Sequence, residues 1–320
     1  MTNAKKTAGR HSASRVRPAP KLPSDWMFSR RGDAVILQAR ALAEFPWLTH
    51  GFSTRVGGAS ERDGRRMLNL GFVEWDRPGR VESNRQKFFG ALGAREMEPA
   101  ALRQFHSSMV RILRRGAAGP GGRPCRGDAL LTRARGPLLT VQTADCVPIL
   151  LADSRKHVVA AIHAGWRGTA ARIAEKAVGD LRMNFGTRPQ DLWAAIGPAI
   201  GICCYEVGPD VAQEFGSQFA CASEWFEGPF EPLSIGDEPT PFLWLQTDPP
   251  GHDRPKRAQL DLVAANRWQL ESAGVRAQRI TSCGLCTSCQ NDWLFSYRRE
   301  GRRTGRQMAA IGIRAEAGRS

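Results

Sequence analysis

His106, Cys146 and His163 are the side chains whose types point most directly to chemistry. Two imidazoles and one thiolate make a borderline-soft donor set, which zinc accepts well. Three protein ligands leave a fourth position open, the pattern of a catalytic rather than a structural zinc. The three stand 40 and 17 positions apart, and no short motif links them, so spacing alone does not select them. Taken singly, each histidine also reads as a satisfied core or surface residue. Cys146 likewise reads as a small hydrophobe among apolar neighbours.

The remaining cysteines and the arginines offer further chemistry. Cys283, Cys286 and Cys289 form a CxxCxxC run. An iron–sulfur reading lacks the fourth Cys followed by Pro. A four-cysteine zinc site lacks a second pair of suitable spacing, because Cys203 and Cys204 are adjacent. Free thiols near the site are the expectation. Arg55 lies beside Gly57-Gly58, and Arg167 follows His163 closely, while Arg298, Arg299 and Arg306 cluster near the C-terminus. Guanidinium forks match phosphate oxygens in pairs, although any one arginine reads equally as a solvated surface charge.

These residues must be held by a scaffold, and the apolar pattern supplies one. Strands are expected over 35–39, 47–54, 105–113, 138–141, 148–151, 157–162, 193–196, 279–281 and 308–313. His106 would then open a strand, and His163 would end one, where a scaffold fixes a side chain and leaves it reachable. Helices are expected over 81–92, from Thr169 as cap to 183, from 208, and over 260–273 opened by Asp261. The glycine-rich stretch 116–127 reads as a loop. Seven prolines within 227–258 mark an irregular excursion. Strands and helices do not alternate strictly, so the fold class is α+β. Residues 1–24 read as a basic disordered tail, and 25–320 as a single catalytic domain.

Composition narrows the function. The net charge is +15, and six of those charges sit in the acid-free tail. No nucleic-acid motif accompanies the charge, so nucleic acid is not expected as a partner, whereas an anionic small substrate fits. No apolar run reaches the length of a membrane helix, and the basic start lacks the apolar block of a secretory signal. A cytoplasmic enzyme with reduced thiols, and a monomer, is the expectation.

Several motifs together resemble one family. These are 49–60 (THGFSTRVGGAS), Leu68-Asn69-Leu70-Gly71, Gln104-Phe105-His106-Ser107, Gly127-Asp128-Ala129-Leu130, 143–148 (TADCVP) and 163–168 (HAGWRG). Gly197-Pro198, Cys204-Tyr205-Glu206-Val207, Cys286-Thr287, Phe295-Ser296-Tyr297-Arg298-Arg299 and Thr304-Gly305-Arg306-Gln307 continue the series in collinear order. The chain is thereby similar to the laccase-domain, or YfiH-like, proteins. These were formerly called polyphenol oxidases and are now regarded as purine nucleoside phosphorylases with adenosine deaminase and methylthioadenosine phosphorylase side activities. The resemblance implies a layered α/β sandwich like the cytotoxic necrotizing factor catalytic domain, and His106, Cys146 and His163 as zinc ligands. It implies cleavage of adenosine, and also of inosine, guanosine and methylthioadenosine, with phosphate. Arg55 and Arg167 are then expected to hold phosphate, and Asn69 and Asp128 to orient the nucleoside. A phenol oxidoreductase and a Cys–His hydrolase with Cys146 as nucleophile are the alternatives. Met67, the extra Cys283 and Cys289, and the long excursion depart from the family pattern without touching the ligand positions.

Overall fold

The computed structural model describes residues 18–114, 125–228 and 257–315. Its frame is built from twelve strands: β1 (Trp26–Arg31), β2 (Ala34–Ala39), β3 (Leu48–Ser53), β4 (Glu98–Ala101), β5 (Val110–Ile112), β6 (Ala129–Thr132), β7 (Pro137–Thr143), β8 (Val147–Asp153), β9 (Val158–Ala164), β10 (Leu192–Ile196), β11 (Ile280–Ser282) and β12 (Gln307–Ile313). One six-stranded sheet runs β1-β2-β3-β12-β7-β4, and the other β11-β10-β8-β9-β6-β5. Most neighbours are antiparallel, while the pairs β4–β7, β5–β6 and β10–β11 are parallel.

Alternation along the strands sorts the side chains into layers. Leu150, Ala152, Val159 and Ala161 of one sheet meet Leu37, Phe52, Leu139 and Ile311 of the other in a shared central core. Ile149, Leu151, Ala160 and Ile162 point the opposite way, under α2 (Trp166–Ala170), α3 (Ile173–Phe185), α4 (Pro209–Gln218) and α5 (Leu262–Ser272). On the far face of the first sheet, Ile36, Leu138, Met308 and Ala310 pack against Phe88, Ala91 and Leu92 of α1 (Pro78–Leu92). The order is therefore helix, sheet, sheet, helix. All seven residues of β8 and all seven of β9 are buried, because both of their faces are covered. Each fully buried aliphatic side chain there contributes about 1.5–3 kcal/mol of transfer free energy.

Two local expectations are corrected. The strand expected over 105–113 exists only over Val110–Ile112, and His106 lies in a loop with φ 61°. The helix expected to start at Thr169 is two helices, broken at Arg172, whose φ is 60°. Thr169 is buried, and its hydroxyl accepts from Asn266 instead of capping. The tail is expected over 1–24. Residues 1–17 lie outside the described residues, but Leu22 packs against the central core. Most of the proline-rich excursion and of the glycine-rich loop, 229–256 and 115–124, lies outside the described residues too. The flanks of the excursion meet, with Phe226 opposite Leu260 and Glu227 opposite Gln259. Among the described residues no helix is long and apolar enough to cross a membrane.

Candidate functional site

His106, Cys146 and His163 converge despite their separation in sequence. One potential ligand atom of each lies within 4.8 Å of the others. Cys146 immediately precedes β8, and His163 is the penultimate residue of β9. These strands are antiparallel neighbours with Pro148 opposite His163, so register alone brings the two side chains to one sheet end. His106 arrives from the β4–β5 loop. Its ring stands 5.0 Å from that of His163, centroid to centroid, at 74°.

Asp128 assembles this corner from below. It is fully buried, just before β6. Its Oδ1 accepts from the backbone N–H of His106 at 3.0 Å and faces Nδ1 of His163 at 2.9 Å. Its Oδ2 accepts from the N–H of Ser107 at 2.8 Å and from the Ser107 hydroxyl at 2.6 Å. The carboxylate thus holds the His106 loop in its left-handed turn and fixes the His163 ring. With Nδ1 donating to Asp128, Nε2 of His163 is free to face a metal, as in the usual carboxylate–histidine arrangement behind one. Burial pushes the Asp128 carboxyl up, but the hydrogen bonds from His163 and Ser107 overcome it and hold the group at about 2.

Asp145 does the same for the cysteine turn. Its φ is 95°, in the region that favours glycine. Its Oδ1 accepts from the Thr287 hydroxyl at 2.6 Å and its Oδ2 from the N–H of Arg298 at 2.6 Å. Burial raises the Cys146 thiol, yet the facing His163 and His106 outweigh it and bring the thiol down to about 6. Burial likewise lowers His163, and the Cys146 and Asp128 charges raise it to about 9. A thiolate at neutral pH is the form that ligates a metal.

The donor set and its surroundings fit a single divalent ion. A Cβ at Gly165 would lie 2.9 Å from Cδ2 of His106 and 3.1 Å from Sγ of Cys146, so the glycine keeps open the cradle in which these side chains meet. The three side chains line a cavity of about 580 Å³, a size suited to a small organic ligand. Gln104, Tyr205, Tyr297, Arg298 and Arg306 share its wall. Tyr205 is stacked under the Arg298 guanidinium at 5.3 Å. A second cavity of about 560 Å³, beside β5 and β6, is lined by Arg114, Arg133, Arg135, Asn184 and apolar neighbours and contains no thiol, imidazole or carboxylate among its lining residues.

The expected substrate residues are placed otherwise. Arg55 is buried, its Nη1 bonded to Glu300 Oε1 at 3.0 Å and its guanidinium over the Phe295 ring, and it does not line the cavity. Arg167 is exposed and lies over its neighbour Trp166. Asn69 is fully buried, where its Oδ1 accepts from the N–H of Arg306 at 2.9 Å. Asp128 stands behind His163 rather than in the cavity wall. The arginines that do reach the cavity are Arg298 and Arg306. Their presence near the C-terminus is visible in the sequence, but their approach to Cys146 depends on β12 returning beside β7.

Comparison with known proteins places this geometry in a family. Residues 49–314 match the model of the multi-copper polyphenol oxidoreductase laccase family. The chain is 38% identical over 273 residues to a purine nucleoside phosphorylase of Deinococcus radiodurans, covering 85% of this chain and 91% of that protein. It is 38% identical over 184 residues to an adenosine deaminase, RL5, of an unknown prokaryotic organism, covering 58% and 61% of the two. Its fold superposes on the crystal structure of YlmD from Geobacillus stearothermophilus with a TM-score of 0.73 at 31% identity, over 90% of this chain and 99% of that one. A match across this span, and a common fold at such identity, show that the chain belongs to the laccase-domain family.

Proposed function

We propose that the protein is a zinc-dependent purine nucleoside phosphorylase that cleaves adenosine, and also inosine, guanosine and methylthioadenosine, with an adenosine deaminase side activity. The observation that carries the reading is the His106, Cys146 and His163 cluster sharing one cavity with Arg298 and Arg306. The relatives named as a phosphorylase and a deaminase support the choice of substrate. A zinc ion held by the three ligands supplies Lewis acidity toward a substrate group or water.

In phosphorolysis a phosphate oxygen attacks the anomeric carbon as the bond to the purine nitrogen breaks. The bond pair leaves with the base, which takes up a proton, and ribose 1-phosphate remains. Arg298 and Arg306 offer the paired donors that a phosphate accepts, and that anion in turn stabilises the oxocarbenium-like transition state. Tyr205 and Tyr297 offer aromatic faces to the base. Asp128 acts through His163 and Asn69 through the backbone of Arg306, so both are positioning residues. In deamination, water replaces the amino group at C6 of adenine and ammonia departs. The product moves in the same cavity, without a nucleic-acid partner, in a cytoplasmic monomer.

The phenol-oxidoreductase reading finds little support in the histidines. Multicopper chemistry needs several His-rich clusters. Among the described residues His50 is buried, accepts from the Ala39 N–H and is held neutral by burial at about 4, while His157 stacks on Trp47. The Cys–His hydrolase has one observation in its favour, the low thiol of Cys146 beside His163. The test is release of free base from adenosine by the purified protein. Release that requires phosphate, and that is abolished in His163→Ala, is expected. Phosphate-independent turnover with rapid alkylation of Cys146 in the metal-loaded protein would select the hydrolase.

A further inference from the structure

Four of the eight cysteines meet outside the cavity chemistry. Cys203 and Cys204 belong to the single turn Ile202–Cys204, and Cys286 and Cys289 to the loop after β11. The two segments are joined through the backbone. Ala199 bridges Cys286, and the N–H of Thr287 donates to the Ala199 carbonyl at 2.9 Å. All four Sγ atoms lie within 4.8 Å of one another. Cys203 to Cys204 is 3.8 Å, Cys203 to Cys289 is 3.6 Å, and Cys204 to Cys289 is 3.5 Å.

Those separations discriminate between outcomes. Zinc–sulfur bonds of about 2.3 Å at tetrahedral angles place sulfurs about 3.8 Å apart. A disulfide places them at about 2.05 Å. A multi-iron cluster sets several metal atoms between its cysteines and needs them more widely spread than one ion does. The N–H of Gly201 donates to Sγ of Cys286 at 3.3 Å, a bond that a thiolate ligand accepts. A Cβ on Gly201 would come within 3.2 Å of Cβ of Cys286 and 3.4 Å of Sγ of Cys203. Cys283, although part of the same run, is buried in the central core and takes no part.

We propose that Cys203, Cys204, Cys286 and Cys289 form a second, structural zinc site that locks one wall of the active cavity. Each half of the site is continuous with that wall. Tyr205 follows Cys204 and lines the cavity. Thr287 follows Cys286 and donates to Asp145, the residue that shapes the Cys146 turn. One ion therefore ties the two segments that place Tyr205 and Cys146. The adjacency of Cys203 and Cys204 does not prevent this, because the second pair arrives from a different loop.

The test is a metal count on the full chain, with cobalt(II) as a spectroscopic probe. Two zinc ions per chain are expected in the wild type. The Cys203→Ser/Cys289→Ser variant, altered at two exposed positions, is expected to keep one. His163→Ala is also expected to keep one, and Cys125→Ser both. Cobalt(II) is expected to give intense tetrahedral thiolate bands that survive in His163→Ala and fall, in the double variant, to the weaker band of the one remaining thiolate, Cys146. One zinc in the wild type, bound iron, or a wild-type mass lower by the hydrogens of a disulfide would overturn the proposal. Loss of metal from the double variant alone and loss from His163→Ala alone separate the two sites, so failure of one leaves the other standing.

Discussion

Asp128→Asn isolates the contribution of a single charge to the metal corner. The substitution keeps shape but replaces one carboxylate oxygen by an NH2 group. Oδ1 faces the N–H of His106 at 3.0 Å and Nδ1 of His163 at 2.9 Å, and Oδ2 faces the N–H of Ser107 at 2.8 Å. Either orientation of the amide therefore sets donor against donor. Loss of a hydrogen bond to a charged group, with a buried N–H left unsatisfied, costs about 1.5–3 kcal/mol. At 1.36 kcal/mol per decade that is on the order of 10–100-fold in zinc affinity, the same range found for groups behind metal-bound histidines generally. The assay is competition for zinc against a chromophoric chelator at pH 7.5, with circular dichroism to verify the fold. Ser107→Ala removes only the hydroxyl bond to Oδ2 and is expected to cost about 1 kcal/mol. Zinc affinity unchanged in folded Asp128→Asn would refute the positioning argument.

Three further substitutions probe other parts of the site. Gly165→Ala puts a methyl 2.9 Å from the His106 ring; elemental analysis of the folded variant is expected to show the zinc at this site largely lost. Arg306→Ala removes a cavity guanidinium while its backbone bond to Asn69 survives. It is expected to lower kcat/KM for phosphate about 10–100-fold and to leave deamination, which uses water, nearly intact, so equal loss of both activities would argue against a phosphate role. Glu300 is held below its usual range: burial pushes it up, but Arg55 and Arg62 outweigh that and pull it down. Its contribution to stability is therefore present above about pH 4.5 and disappears as pH falls toward the lowered value of the folded state. Glu300→Gln leaves Arg55 buried without a counter-charge and is expected to cost about 3 kcal/mol at pH 7 and to flatten that acid limb, as measured by urea unfolding.

What the sequence revealed and what it hid divide along the range of the interactions involved. The strands β8 and β9 are legible because covering both faces makes every position apolar, so a continuous run carries the signal. The start of α5 is legible because Asp261 caps it locally, accepting from Ala264 at 2.8 Å. His106 misleads because its conformation is imposed by Asp128, 22 positions on. An alternating stretch from 105 looks like a strand until that carboxylate claims three successive N–H groups. Arg55 is ambiguous for a related reason. A guanidinium type predicts an anion, and Glu300, 245 positions away, faces it, a partner that no local pattern discloses. The same long-range pairing explains the cysteines. Spacing rules assume that a metal pair sits on one loop, but Ala199 and Cys286 bring two loops together across the sheet end. Local rules therefore recover elements and caps. Sites formed where β8, β9, β12 and the 199–205 turn converge require the sheet order first, because the mutual influence that displaces the Cys146 and His163 pKa values joins residues at the ends of different strands.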